Sequence, residues 1–67
     1  MQANKYFIQT NGYGDWQNVA GAPTFEVAKW KVDVMQKKYP GSVLRIVPLA
    51  VAERRDYGPV WYYPFAN

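Results

Sequence analysis

The stretch Thr24-Phe25-Glu26-Val27-Ala28-Lys29-Trp30-Lys31-Val32-Asp33-Val34-Met35-Gln36-Lys37-Lys38-Tyr39 decides how the rest of this 67-residue chain is read. It is bounded by Gly21-Ala22-Pro23 on one side and Pro40-Gly41 on the other, residues that interrupt regular structure because proline lacks an amide donor and glycine lacks steric restraint. Thr24 is placed to cap a helix, its hydroxyl accepting from an amide one turn in, and Glu26 complements the positive end of the helix dipole. Lys37 and Lys38 fall in the last turn, where cations are favoured. At about 100° per residue, Phe25, Ala28, Val32, Met35 and Tyr39 share an arc of roughly 80° that suits burial on a core. Val27, Trp30 and Val34 form a second apolar arc more than about 100° from the first, bordered by Lys31, Lys37 and Lys38. Two apolar stripes require two partners.

Outward from this helix the signals change to strands. Lys5 to Thr10 is aromatic and β-branched and ends in the turn-forming cluster Asn11-Gly12-Tyr13-Gly14-Asp15. Trp16 to Ala20 can return antiparallel, making a first hairpin. After the helix, Ser42 to Ala52 reads as a strand in which Val43, Arg45 and Val47 alternate with Leu44 and Ile46. Pro48 cannot donate a ladder hydrogen bond, so this strand is at an edge, bulged, or ended there. Glu53-Arg54-Arg55-Asp56-Tyr57-Gly58 reads as a polar turn, and Pro59 to Phe65, through Val60-Trp61-Tyr62-Tyr63, as a final strand. The expected order is β-β-α-β-β in one domain spanning residues 1–67. It implies an α+β fold with a four-stranded, mainly antiparallel sheet and one helix packed on one face. The opposite sheet face is then exposed or only partly covered.

Composition limits the chemistry. The chain has no Cys and no His, eight Lys+Arg against five Asp+Glu, and three Trp, six Tyr and three Phe. There is thus no thiol nucleophile, disulfide or zinc knuckle, and no Ser–His or Cys–His dyad. Asp15, Glu26, Asp33, Glu53 and Asp56 are scattered rather than grouped as metal ligands. No enzyme activity, cofactor or metal is expected. A small basic excess of +3 permits contact with nucleic acid or another anionic surface without requiring it. No targeting segment or membrane-spanning run is evident, so a soluble intracellular protein is expected.

Several constellations have both a structural and a functional reading. Val27, Trp30 and Val34, with their lysines, are either a second layer of core beneath the segment Trp61-Tyr62-Tyr63-Pro64-Phe65 or a docking surface anchored by an exposed indole. Lys5, Arg45, Arg54 and Arg55 lie near Tyr6, Tyr57, Trp61 and Tyr63 in a sheet arrangement. That mixture suits stacking and phosphate pairing with single-stranded nucleic acid, or simply cross-strand aromatic packing. Arg54-Arg55 can clamp an acidic group, or remain solvated beside Glu53 and Asp56. Asn11-Gly12-Tyr13-Gly14 lacks the Lys-Ser/Thr of a phosphate-binding loop and is read as a hairpin turn. Asp33 and Lys37 are a surface pair one turn apart.

Tyr6-Phe7-Ile8 in the first strand, Thr24 with Ala28-Lys29 in the helix, Gly41-Ser42-Val43-Leu44-Arg45-Ile46 after it, and Gly58-Pro59-Val60-Trp61 near the end together resemble small phage-encoded anti-CRISPR proteins of the type I-F class. The segment from Thr24 through Arg45-Ile46-Val47-Pro48 also resembles small phage inhibitors of bacterial RNA polymerase, with an Arg-x-x-Pro in the strand after the helix. Both resemblances imply a non-enzymatic phage product in the host cytoplasm that occupies a surface needed by a bacterial nucleic-acid machine. For the first family this would block pairing of guide with target DNA. By position, Lys29 and Arg45 match the basic positions of the pattern, while Lys31, Lys37 and Lys38 rest on the helical wheel alone.

The expected function is therefore an inhibitor that docks on a bacterial host complex, a CRISPR effector first and RNA polymerase second, through Val27, Lys29, Trp30, Lys31, Val34, Lys37, Lys38 and Arg45. The alternative is a small nucleic-acid-binding module using Arg45, Arg54, Arg55, Tyr57 and Trp61 on a sheet face. Self-association through the strand ended by Pro48 ranks third.

Overall fold

The computed structural model describes residues 3–12, 14–54 and 58–65. Its first two strands, β1 (Tyr6–Asn11) and β2 (Trp16–Ala22), form the expected antiparallel hairpin. The turn is held by the Asn11 side chain, whose Oδ1 accepts from the Gly14 amide at 3.1 Å. Gly14 has a φ of 89°, a conformation that glycine adopts without the Cβ clash other residues meet. Strand β2 extends two residues beyond the expected Ala20. Gly21 pairs with Phe7 and Ala22 with Tyr6, and the Lys5 amide bonds the Ala22 carbonyl at 2.9 Å. Glycine at position 21 lets the Asn4 side chain approach where a Cβ would collide. The hairpin register shifts between Ile8 and Gln9: Ile8 opposes Ala20 whereas Gln9 opposes Asn18, leaving Val19 as an extra residue in β2. This is a β-bulge.

Helix α1 (Phe25–Lys38) begins as the sequence indicates. Thr24 has extended backbone angles, and its Oγ1 accepts from the Val27 amide at 3.2 Å. Ala28 and Val32 are fully buried, and Phe25 and Met35 pack against the same core. Tyr39, expected on this stripe, is 54% exposed. The helix has ended at Lys38, and Tyr39 has a φ of −130°, so the angular spacing of a helix no longer governs its direction. Val27, expected on the outer stripe, is half-buried and packs against the core.

Strand β3 (Leu44–Pro48) pairs antiparallel with β1, with Ile46 opposite Ile8, and β4 (Trp61–Tyr62) pairs antiparallel with β3, with Trp61 opposite Ile46. The sheet order is β2-β1-β3-β4, a four-stranded antiparallel sheet of an α+β fold. Pro48 is therefore not on an edge strand. It ends a central one, opposite Tyr6, and the chain continues through a bond from the Leu49 amide to the Lys5 carbonyl at 3.0 Å. From Leu44 to Ile46 both sides of β3 are paired, so that part of the strand offers no open edge.

Two segments differ from expectation. Leu49 to Ala52, read as the end of a strand, and Glu53-Arg54, read as a turn, form a short second helix, α2 (Leu49–Arg54). Pro48 stops the ladder, and Leu-Ala-Val-Ala-Glu-Arg is mostly composed of strong helix formers. The last strand is only two residues long, not seven. Residues 55–57 of the expected turn lie outside the described residues.

Alternation along the strands separates two layers. Ile8, Ala22, Leu44 and Ile46 join Ala28 and Val32 in the core beneath α1, and Tyr6, Phe25 and Trp61 close it with edge-to-face ring contacts of 4.8–6.2 Å. Val47 points the other way and is also fully buried, on the side where α2 packs against β3 and β1. Among the described residues, no helix is long and apolar enough to cross a membrane.

The core is built from medium-sized aliphatic side chains, so local terms carry weight in the total. Thr24→Ala removes the cap and is expected to lower unfolding free energy by about 1 kcal/mol. Ile46→Ala, at the centre of the core, is expected to cost about 2–5 kcal/mol. Urea titration followed by far-UV circular dichroism measures both, and comparable losses for the two would show that the core is not centred on Ile46.

Candidate functional site

Two distinct surfaces carry the residues singled out in the sequence. The first is the outer face of α1. Trp30 is 64% exposed and Val34 46% exposed, one turn apart on the helix. Lys29, Lys37 and Lys38 are exposed around them, and so are Glu26 and Asp33, giving a rim of both signs. Lys29 lies 5.9 Å from the centre of the Phe25 ring, and Lys38 5.6 Å from that of Tyr39. The C-terminal segment does not seal the indole. Tyr63 and Phe65 instead stand beside it as one wall of a cleft of about 310 Å³, whose other wall is Glu26, Lys29, Trp30 and Asp33.

Val27 and Lys31 do not belong to this exposed face. They lie one turn apart on the flank turned toward β2, where the Lys31 Nζ donates to the Gly21 carbonyl at 2.6 Å. Lys31 thereby ties the helix to the sheet. Arg45, grouped with the helix residues in the sequence reading, is on the opposite side of the molecule. It lies between Leu44 and Ile46, both buried beneath α1, and strand alternation directs it outward.

The second surface is that outer sheet face. Gln9 of β1, Arg45 of β3, Asn18 and Trp16 of β2 and Tyr62 of β4 meet there. Arg45 and Gln9 are directly paired in register, as are Arg45 and Tyr62. The Arg45 Nε donates to Gln9 Oε1 at 2.8 Å, and Gln9 Nε2 donates to Asn18 Oδ1 at 2.8 Å. The guanidinium carbon lies 4.0 Å from the centre of the Trp16 ring, and Nη1 reaches the Tyr62 hydroxyl at 3.4 Å. Trp16 and Tyr62 themselves meet edge to face, with centroids 6.0 Å apart. The β-bulge makes this assembly possible. With Val19 taken out of the pairing, Asn18 and Trp16 lie on the outer face, whereas uninterrupted alternation from Ala20 would put both beneath α1.

Beside this cluster is a cleft of about 390 Å³ lined by Gln9, Asp15, Trp16, Asn18, Arg45 and, from α2, Val51 and Ala52. Gln9 is only 6% exposed, so a buried amide with both ends bonded sits at its floor. Guanidinium stacking on indole contributes about 0.5–2 kcal/mol according to its desolvation. The hydrogen bonds also fix the planar donor fork in one orientation.

Of the nucleic-acid residues of the alternative reading, Arg45 and Trp61 are on opposite faces of the sheet. Trp61 belongs to the α1 side, 4.8 Å from the Phe25 ring and 6.2 Å from Tyr6. Arg54 is exposed at the end of α2, and Arg55 and Tyr57 lie outside the described residues. Trp16, Gln9, Asn18 and Tyr62 were missed. A signal was present in the polar residues at the middle of two apolar strands, Gln9 after Ile8 and Arg45 between Leu44 and Ile46. Among the described residues no three carboxylates gather as metal ligands. No family model, curated protein or solved structure matches the chain.

The two tryptophans used in the sequence reading separate by burial. Trp30→Ala is expected to change unfolding free energy by no more than about 0.5 kcal/mol, while Trp61→Ala is expected to cost about 3 kcal/mol or more. Gln9→Leu leaves the Arg45 Nε and Asn18 without their shared partner and is expected to cost about 1–3 kcal/mol. Equilibrium urea unfolding of the three variants provides the comparison. A large loss in the first or none in the third would contradict these assignments.

Proposed function

We propose that this chain is a non-enzymatic inhibitor that acts by covering a functional surface of a bacterial nucleic-acid machine, with Trp30 as its anchor. The supporting observation is the 64% exposure of a tryptophan in the middle of a well-formed helix. Leaving so large an apolar ring in water forgoes about 2–3 kcal/mol of burial, and tryptophan is the residue type most enriched at the centres of protein interfaces. Val34 extends the apolar contact by one turn. Lys29, Lys37 and Lys38, with Glu26 and Asp33, supply a polar rim that orients the encounter.

The choice of target rests on the sequence resemblance. A type I-F CRISPR effector complex is the first candidate and bacterial RNA polymerase the second, which puts the site of action in the host cytoplasm. The mechanism is steric: an inserted indole and a helix face exclude the nucleic acid or protein segment that would otherwise occupy the surface. No bond is made or broken, so inhibition should follow stoichiometry rather than time.

The test uses purified type I-F effector complex and a labelled target duplex, with RNA polymerase transcription as the parallel assay. Inhibition of one machine should saturate at a fixed ratio of chain to complex. Trp30→Ala should weaken it by about tenfold or more while remaining folded. Failure to inhibit either machine at large excess, or full inhibition by Trp30→Ala, would overturn the reading.

A further inference from the structure

The outer sheet face has a chemistry that α1 does not use. Arg45 can only donate hydrogen bonds, through a planar cationic fork. Because its Nε donates to Gln9 Oε1, the Gln9 amide is oriented with Nε2 leading away, and that nitrogen in turn must find an acceptor in Asn18 Oδ1. The Asn18 amide nitrogen is left at the exposed end of the relay. The direction of every bond is thus set by the one group that cannot accept. Both ends of the chain present donors, the guanidinium at one and an amide NH₂ at the other. All the guanidinium contacts found among the described residues are with neutral groups: Gln9, Tyr62 and Trp16. The floor of the cleft is therefore a preoriented cation and donor array, and the complementary ligand is an oxyanion that only accepts.

Aromatic surface adjoins the same cleft. Trp16 lies beneath the guanidinium, and Tyr62, paired with Arg45 across the strands, is 51% exposed. A phosphate joined to a flat base satisfies both halves of this surface, whereas an acidic peptide satisfies only the first. The opening, about 390 Å³, is in the range of small-ligand sites. We propose that the cleft between the outer sheet face and α2 binds single-stranded nucleic acid, with a backbone phosphate on Arg45 and Asn18 and a neighbouring base against Tyr62 and Trp16. Among the described residues, Asp15 is the one carboxylate on the lining. It opposes an incoming phosphate and so limits affinity.

This site is on the face opposite Trp30, so the two proposals are separable. Fluorescence anisotropy of a fluorescein-labelled decathymidylate, titrated with the full chain, reads it directly. Saturable binding is expected at about 50 mM salt, weakening steeply by about 200 mM as counterion release requires. Arg45→Gln and Tyr62→Leu should each weaken binding by about tenfold, and Trp30→Ala should leave it unchanged. Asp15→Asn should tighten it, an effect that loss of folding cannot produce. Tyr62→Leu, at an exposed position, keeps the test valid if Arg45→Gln fails to fold by circular dichroism. The proposal is overturned by absence of saturable binding at the lower salt, or by equal binding in Tyr62→Leu and the parent chain. Displacement of the oligonucleotide by oligoglutamate of the same length, at equal concentration, would also overturn it and assign the cleft to protein carboxylates.

Discussion

The pairing of Ile8 with Ile46 at the centre of the sheet is the constraint from which the other placements follow. Both side chains are fully buried beneath Ala28 and Val32, and their registry fixes the phase of the two central strands. Once that phase is set, alternation leaves no freedom: Gln9 and Arg45 must emerge on the far side together, one residue along in β1 and one back in β3. A slip of one residue would bury a guanidinium beneath α1 and expose an isoleucine. The apolar core and the polar cluster are thus two aspects of a single registration, and the cost of misregistration protects both.

The faces differ in how they meet solvent. On the α1 side, rings and aliphatic chains fill the space between sheet and helix, and only the outward-turned part of the helix is left to recognise anything. On the other side α2 packs against β3 and β1, Val47 is fully buried, and Val51 and Ala52 form one wall of the cleft beside Arg45. A continued strand, as the sequence suggested, would carry Val51 and Ala52 away from this face and remove that wall of the cleft. Pro48 controls this outcome, since ending the ladder there releases the chain to turn back across the face it has just left.

The helix was legible because several independent signals agree within it: a capping threonine, an acidic first turn, basic last residues and an apolar stripe with the right period. The exposure of Trp30 was legible as one of two alternatives, and the position of Tyr63 and Phe65 beside the indole rather than over it decides between them. Strand β2 was less legible, because nothing in Trp16-Gln17-Asn18-Val19-Ala20 marks Val19 as the residue left out of register. The reading also grouped Arg45 with the helix lysines and Trp61 with the arginines, when each belongs to the other layer. Side-chain type is visible in a sequence; the side of a sheet is visible only after every bulge has been counted. Leu49 to Arg54 illustrates a related limit, where a β-branched pattern continued past a proline but local helix propensity prevailed.

The bulge at Val19 gives β2 a property of parity. From Ala22 to Ala20 the strand keeps step with the core, and from Asn18 to Trp16 it keeps step with the outer cluster. Losing Val19 would set Asn18 directly beside Ala20, so plain alternation would still put Trp16 and Asn18 on the outer face, and only the local bend of the bulge would go. Adding residues among Gly12 to Asp15 would lengthen the hairpin tip and likewise preserve both phases. Natural variation in this hairpin should thus tolerate changes of length at its tip and the loss of the one extra residue in β2, whereas β1, which has no residue to spare, should keep its length.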